Sequence, residues 1–226
     1  MAVVSNGTTI ISGGALASGF GGTLILLSTQ TASASATISF TTGLDSTYDE
    51  YIFKFINIHP SVDSADLNFN MSTDSGSNYN VTKTTTFFRA IHSEAGADGS
   101  VGYDTGYDLA QSTSFQTIMQ YIGNANDESA SGFLTLFNPS STTYVKHFIA
   151  TTNKTGSTYN GNNFIAGYGN TTSAVNAVRF QMSSGNIDDG VIKLYGVKKS
   201  WCRLINKFAM LMELLNYMEL NNGFNY

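Results

Sequence analysis

Three acidic groups mark where a reaction could run: Asp104 with Asp108, Asp127 with Glu128, and Asp188 with Asp189. A glycosidase needs two carboxylates about 5–10 Å apart across a groove, one with a raised pKa. Each group here stands beside Gly, Asn or Ser, the residues of turns, where carboxylates are ordinarily solvated. No catalytic residue is assigned on this basis. A polysaccharide-degrading enzyme remains a third possibility, conditional on a groove that pairs such carboxylates. The stretches NANDES (124–129) and NIDDG (186–190) could offer oxygens to calcium, but neither has the spacing of an EF-hand loop. His59, His92 and His147 are far apart, with no two at metal-ligand spacing. Cys202 is the only cysteine, which excludes an internal disulfide and a cysteine metal site. No Gly-x-Ser-x-Gly elbow is present, and no Lys-Ser/Thr follows the glycines at 13–14 or 19–22. Neither a metal nor a cofactor is expected.

Four tyrosines carry the one binding signal. Tyr103, Tyr107, Tyr159 and Tyr168 lie near Gly, Asn and Asp. An aromatic face with amide and carboxylate hydrogen bonds suits a pyranose ring, so these are possible glycan contacts. The plainer reading is a tyrosine at a sandwich edge, its ring buried and its hydroxyl wet.

These residues sit on or between strands. TLILLS (23–28), ATISF (36–40), EYIFKFINI (50–58), DLNFNM (66–71) and YNVTKTTTFFRAI (79–91) are β-branched, aromatic or alternating. FQTIMQYI (115–122), GFLTLF (132–137), TYVKHFIAT (143–151), NFIAGY (163–168), AVRFQM (177–182) and GVIKLYGV (190–197) follow. TDSGSN (73–78), NANDES, NPSS (138–141), NKTGS (153–157) and SGNIDDG (184–190) read as turns between them. EYIFKFINI puts Tyr51, Phe53 and Phe55 on one face and Ile52, Ile56 and Ile58 on the other, which predicts a central strand covered on both faces. The expected fold is all-β: a jelly-roll-like antiparallel sandwich over 23–197, with an extended N-terminal arm over 1–22 and a C-terminal amphipathic helix and tail over 198–226.

Charged residues are only 12% of the chain, about half the usual share, so solubility must rest on Ser, Thr, Asn and Gly. A net charge of −5 argues against a nucleic-acid surface. No apolar run is long enough for a membrane span, and the first 22 residues lack the pattern of a signal peptide.

GLDSTYDEYIFKFINIHP (43–60), MSTDSGSNYNVTKTTTFFRA (71–90), NDESASGFLTLFNPSSTTYVKHF (126–148), FIAGYGNTTSAVNAVRFQMSSGNID (164–188) and IKLYGV (192–197) carry a resemblance. From about Thr8 to Val197 the chain resembles uncharacterised virion-associated β-sandwich proteins of tailed bacteriophages, mostly marine ones. The resemblance implies a virion protein, and it implies that NGTTIISGGAL (6–16) is a leader used for attachment. Members of that group commonly stop soon after a strand like IKLYGV, whereas this chain continues.

The continuation has a pattern of its own. Trp201, Leu204, Phe208, Leu211, Leu215 and Met218 fall at steps of three and four, the stripe of an amphipathic helix. It could pack against copies of itself or a neighbouring virion protein, fold back on its own sandwich, or lie on a membrane surface. The function expected is that of a non-enzymatic structural protein on the outer surface of a tailed-phage virion, a capsid decoration or fibre protein. It would dock through the arm and the helix onto other virion proteins of capsid or tail, as a homo-oligomer. The alternative is a receptor-binding module for host surface polysaccharide. If the helix is the assembly device, light scattering will show an oligomer for the full chain and a monomer for a chain ending at Val197. Equal masses would remove the helix from that role.

Overall fold

A computed structural model describes residues 23–156 and 158–198, and the backbone of three short strands before them. Those three, β1 (Val3–Ser5), β2 (Thr8–Ser12) and β3 (Ala15–Leu16), form a small antiparallel sheet of order β1-β2-β3. The body follows as β4 (Leu24–Thr31), β5 (Ile38–Phe40), β6 (Glu50–Pro60), β7 (Ala65–Ser72), β8 (Lys83–Ser93), β9 (Gly99–Tyr103), β10 (Gln116–Ile122), β11 (Ala130–Phe137), β12 (Lys146–Gly156), β13 (Tyr159–Gly169), β14 (Ala177–Met182) and β15 (Ile187–Val197). The described residues contain no helix. The helix expected over 201–220, with Trp201, Leu204, Phe208, Leu211, Leu215 and Met218, lies outside them.

Two antiparallel sheets make the body. One has four strands in the order β10-β7-β14-β5, and the other eight in the order β4-β15-β6-β11-β12-β13-β8-β9. The chain changes sheet at nearly every step, with β8–β9 and the meander β11–β12–β13 as the in-sheet exceptions. Period-2 alternation turns one face of each sheet inward. Phe180 of β14 stands between them, its ring centroid 5.2 Å from both Phe53 and Phe55 of β6 and 6.2 Å from Phe40 of β5. Phe69 of β7 meets Phe148 of β12 edge to face at 4.9 Å. Each such ring removed from water is worth about 1.5–3 kcal/mol. A buried hydrogen bond from Thr152 Oγ1 to Ile118 O, 2.6 Å, ties β12 to β10.

Each stretch read from the sequence contains a strand, with differences that have physical causes. β9 was not expected: all five of its residues are exposed, so it has no core face to produce alternation. The turn expected at NKTGS is mostly strand, because the β12–β13 ladder runs on to Gly156 opposite Tyr159. Asn153 Nδ2 reaches Asn160 Oδ1 at 2.7 Å and supports the pairing without any core. SGNIDDG is strand from Ile187 onward.

β6 is central, yet among the described residues only one of its faces is covered. Tyr51, Phe53 and Phe55 are buried, while Ile56 is 39% exposed. Ile58 does not share the face of Ile52 and Ile56. A bulge intervenes: residues 55 and 58 of β6 face 132 and 130 of β11, and the ladder to β15 slips at the same place. Asn57 takes the extra residue at φ 50°, a left-handed conformation that Asn tolerates, and Ile58 swings into the core. On β15, Gly190 makes room, since a Cβ there would lie 2.7 Å from Asn57 O.

Two lysines are fully buried at one end of the sandwich. Lys83 and Lys146 lie opposite Gly169 from either side, in one cross-strand row facing inward. Lys83 Nζ donates to Asn70 Oδ1 (2.6 Å) and Val81 O (2.8 Å), and Lys146 Nζ donates to Tyr144 O (2.7 Å) and Thr171 O (3.3 Å). The ammonium groups thus fasten neighbouring loops through their oxygens. Burial pushes Lys83 down from its ordinary value of 10.5 to about 7 and lowers Lys146 as well. Between those two pH values the unfolded chain holds a proton that folded Lys83 has released. Its contribution to stability is therefore full above pH 10.5 and is lost as pH falls to 7. Urea denaturation from pH 7 to 10 should show stability rising, and Lys83→Met should flatten that rise by up to about 1.4 kcal/mol per pH unit.

Candidate functional site

The outward face of the eight-stranded sheet is built from two rows of side chains that the strand register sets side by side. One row crosses six strands: Lys54, Phe133, Thr151, Phe164, Phe88 and Tyr103. The next is Tyr195, Ile52, Thr135, Ile149, Ala166 and Thr86. Phe88 and Phe164 stack at 4.9 Å with their planes 13° apart. Of the eleven exposed large hydrophobic residues described, eight belong to this face: Leu24, Leu26, Ile56, Phe88, Val101, Tyr103, Phe133 and Ile149. Isolated apolar residues on a surface need no explanation, but exposed apolar residues gathered on one face are a candidate interaction surface. Lys54 and Lys193 interrupt it as a directly opposed pair, with Lys54 Nζ 5.4 Å from the centroid of the Tyr195 ring.

A depression of about 480 Å³ lies on this face, lined by Thr84, Thr86, Phe137, His147, Ile149, Ala166 and Tyr168 among others. The rings of His147 and Tyr168 are 6.1 Å apart. Gln111 Nε2 donates to Thr84 Oγ1 (2.7 Å) and to the Tyr168 hydroxyl (3.4 Å), and Asn170 Nδ2 donates to Gln111 Oε1 (2.8 Å). The result is an aromatic wall with an amide pair at its edge and a small residue, Ala166, nearby.

The other three candidate tyrosines are elsewhere. Tyr103 is exposed at the end of β9 and donates to Asp108 Oδ2 at 2.6 Å, a bond that raises its pKa. Tyr107 packs between Phe87 (5.3 Å) and Tyr121 (5.9 Å), and burial raises it. Tyr159 opens β13 and donates to Asp98 Oδ2 at 3.2 Å. It lies nine residues from Tyr168 on one strand, roughly 30 Å away and on the opposite face. The four do not form one site.

Asp104 and Asp108 are engaged structurally: Asp104 pairs with Arg89 at 3.5 Å, and Asp108 accepts from Tyr103. The other two acidic pairs meet. Asp127, Glu128, Asp188 and Asp189 surround a polar cleft of about 490 Å³ with Asn57 and His59. β6 brings them together, since His59 is opposite Asp189 and its Nε2 lies 3.2 Å from Ala125 O. Glu128 Oε2 accepts from the Ala125 amide within its own turn. Among the described residues no three His, Cys, Asp or Glu side chains are grouped to hold a metal ion. No helix among them is long and apolar enough to cross a membrane.

Sequence reading missed Phe88, Phe133 and Ile149 as surface residues. The signal is an apolar residue at the outward parity of a strand whose inward parity is also apolar, and the described residues supply a cover for only one face. Comparison with protein-family models, curated proteins and solved structures finds no match to this chain.

Proposed function

We propose that this chain is a non-enzymatic structural protein on the outer surface of a tailed-phage virion, a capsid decoration or fibre protein. It packs against copies of itself or other virion proteins through the outward face of its large sheet, with the 1–22 arm and the 201–220 segment as further docking elements. One observation carries this reading: eight of the eleven exposed large apolar residues described share that face. Buried at about 25 cal/mol per Å², a field of several hundred Å² is worth on the order of 10 kcal/mol gross, before the cost of association. The strand orders support a jelly roll. β5-β14-β7-β10 fits the B-I-D-G sheet, and β6, β8 and β9 fit C, E and F, with the β11–β13 meander in the place of H. Such sandwiches serve in viral capsids and in lectins. The resemblance over 8–197 favours the virion.

In solution, light scattering should give an oligomer for the chain, and Phe88→Ser with Phe133→Ser and Ile149→Ser should lower the mass to a monomer of unchanged circular dichroism. A chain that is already monomeric, with no affinity for particles lacking it, would end this reading.

A second reading rests on the depression around Tyr168: a receptor-binding module for host polysaccharide. A glycan array should then give binding that Tyr168→Ala abolishes and Tyr103→Ala leaves intact, because only Tyr168 lines the depression.

A further inference from the structure

On the inward side of the large sheet, near the end of β10, lies a smaller cavity of about 220 Å³. Arg89, Gln120, Lys154, Tyr159, Gly161 and Asn163 contribute to its lining. The register explains how cations come to be there. Asn163 of β13 is opposite Arg89 of β8, and Gly161 is opposite Lys154 of β12, all facing inward. Gly161 has no side chain, so the Lys154 stem lies across it; a Cβ on Gly161 would come within 2.9 Å of Lys154 Cε.

Three features converge. Lys154 is 8% exposed and Asn163 only 1%. The Asn163 amide nitrogen is buried and finds no hydrogen-bond partner among the described residues, a condition that ordinarily costs stability. The guanidinium of Arg89 is also present, held by Gln120 Oε1 at 3.0 Å and by Asp104 at 3.5 Å. Lys154 is lowered chiefly by burial; the Arg89 charge adds to that, while Glu128 and Asp63 act the other way. Two cations and an unpaired N–H donor around one small space form an arrangement that a charged acceptor would relieve at once.

We propose that this cavity binds one small oxyanion, the carboxylate or sulfate group of an acidic sugar. The anion accepts from Lys154, Arg89 and the Asn163 amide as charge-assisted hydrogen bonds. The volume is below that of a drug-sized pocket and suits a single ring or a bare anion. Tyr159 stands at the rim, and its ring supplies the apolar surface for the sugar. This inference does not rest on the packing reading, because the cavity is on the inward side of the sheet.

Isothermal titration calorimetry at low ionic strength is the test, on the full chain with glucuronate, galacturonate, sulfate, phosphate and neutral glucose. The expected result is one site for an anion with Kd below about 1 mM and none for glucose. Lys154→Met should weaken the site at least tenfold, and so should Asn163→Asp, which points a negative charge at the anion. A uronate bound more tightly than sulfate, with the difference lost in Tyr159→Ala, identifies the sugar source; equal affinities retain the oxyanion and overturn the sugar. Should either variant fail to fold, the wild-type salt dependence decides, since binding must weaken as ionic strength rises. No saturable binding of any of the four anions, or binding untouched in folded Lys154→Met and Asn163→Asp, overturns the proposal.

Discussion

Phe180 is where the two sheets hold each other. Its ring touches Phe40, Phe53 and Phe55, and every other feature of the body follows from which faces that contact turns inward. Once the parity of β6 and β14 is fixed by these aromatics, each neighbouring strand must present its own alternate residues to the same interior. Four strands at about 4.8 Å spacing cannot cover eight. The smaller sheet leaves the margins of the larger one partly open on the inward side, where Arg89 and Ile91 are only half-buried. The outward side has no covering sheet among the described residues. The cationic cavity is a consequence of this mismatch in width, and the apolar field of the missing cover on the outward side among the described residues.

The strands themselves were legible because eleven stretches carry aromatic and β-branched residues at short intervals. What was not legible is instructive. GSVGY (99–103) pairs with β8 but buries nothing, and a strand without a core face leaves no pattern. The bulge at Asn57 sits inside an unbroken apolar run, so Ile58 read as sharing a face with Ile56. Partners remote in sequence, such as β4 and β6 on either side of β15, leave no local trace at all. The polar cleft between Asp127 and Asp189 exists only because of such long-range pairing, and no spacing rule could have joined the two loops.

Parity also explains the lysines. A lysine in a strand is ordinarily read as outward. Lys83 shares the parity of Thr85 and Phe87, and Lys146 that of Phe148 and Ala150, all buried. The aromatics fix the register, and the lysines go inside with them, where carbonyl and amide oxygens receive the ammonium groups. Of the eight Lys and Arg residues among those described, three (Lys83, Lys146 and Lys154) are therefore withdrawn from the surface. A chain with few charges thus has fewer still to show to a partner.

Under the proposed packing role, that sparseness bears on how the outward face chooses its partner. Apolar area supplies attraction without direction, and screened surface charges add little at moderate salt. Discrimination must come from the polar groups set within the field. Lys54 and Lys193 are the clearest, two ammonium groups directly opposite one another in a position where like charges are unfavourable. The ring of Tyr195 beneath Lys54 offsets part of that cost. Any surface laid on this sheet must either bring a carboxylate to the pair or leave it hydrated at the rim. A partner with an apolar patch alone would have to bury both charges unpaired, and the pair thereby excludes it.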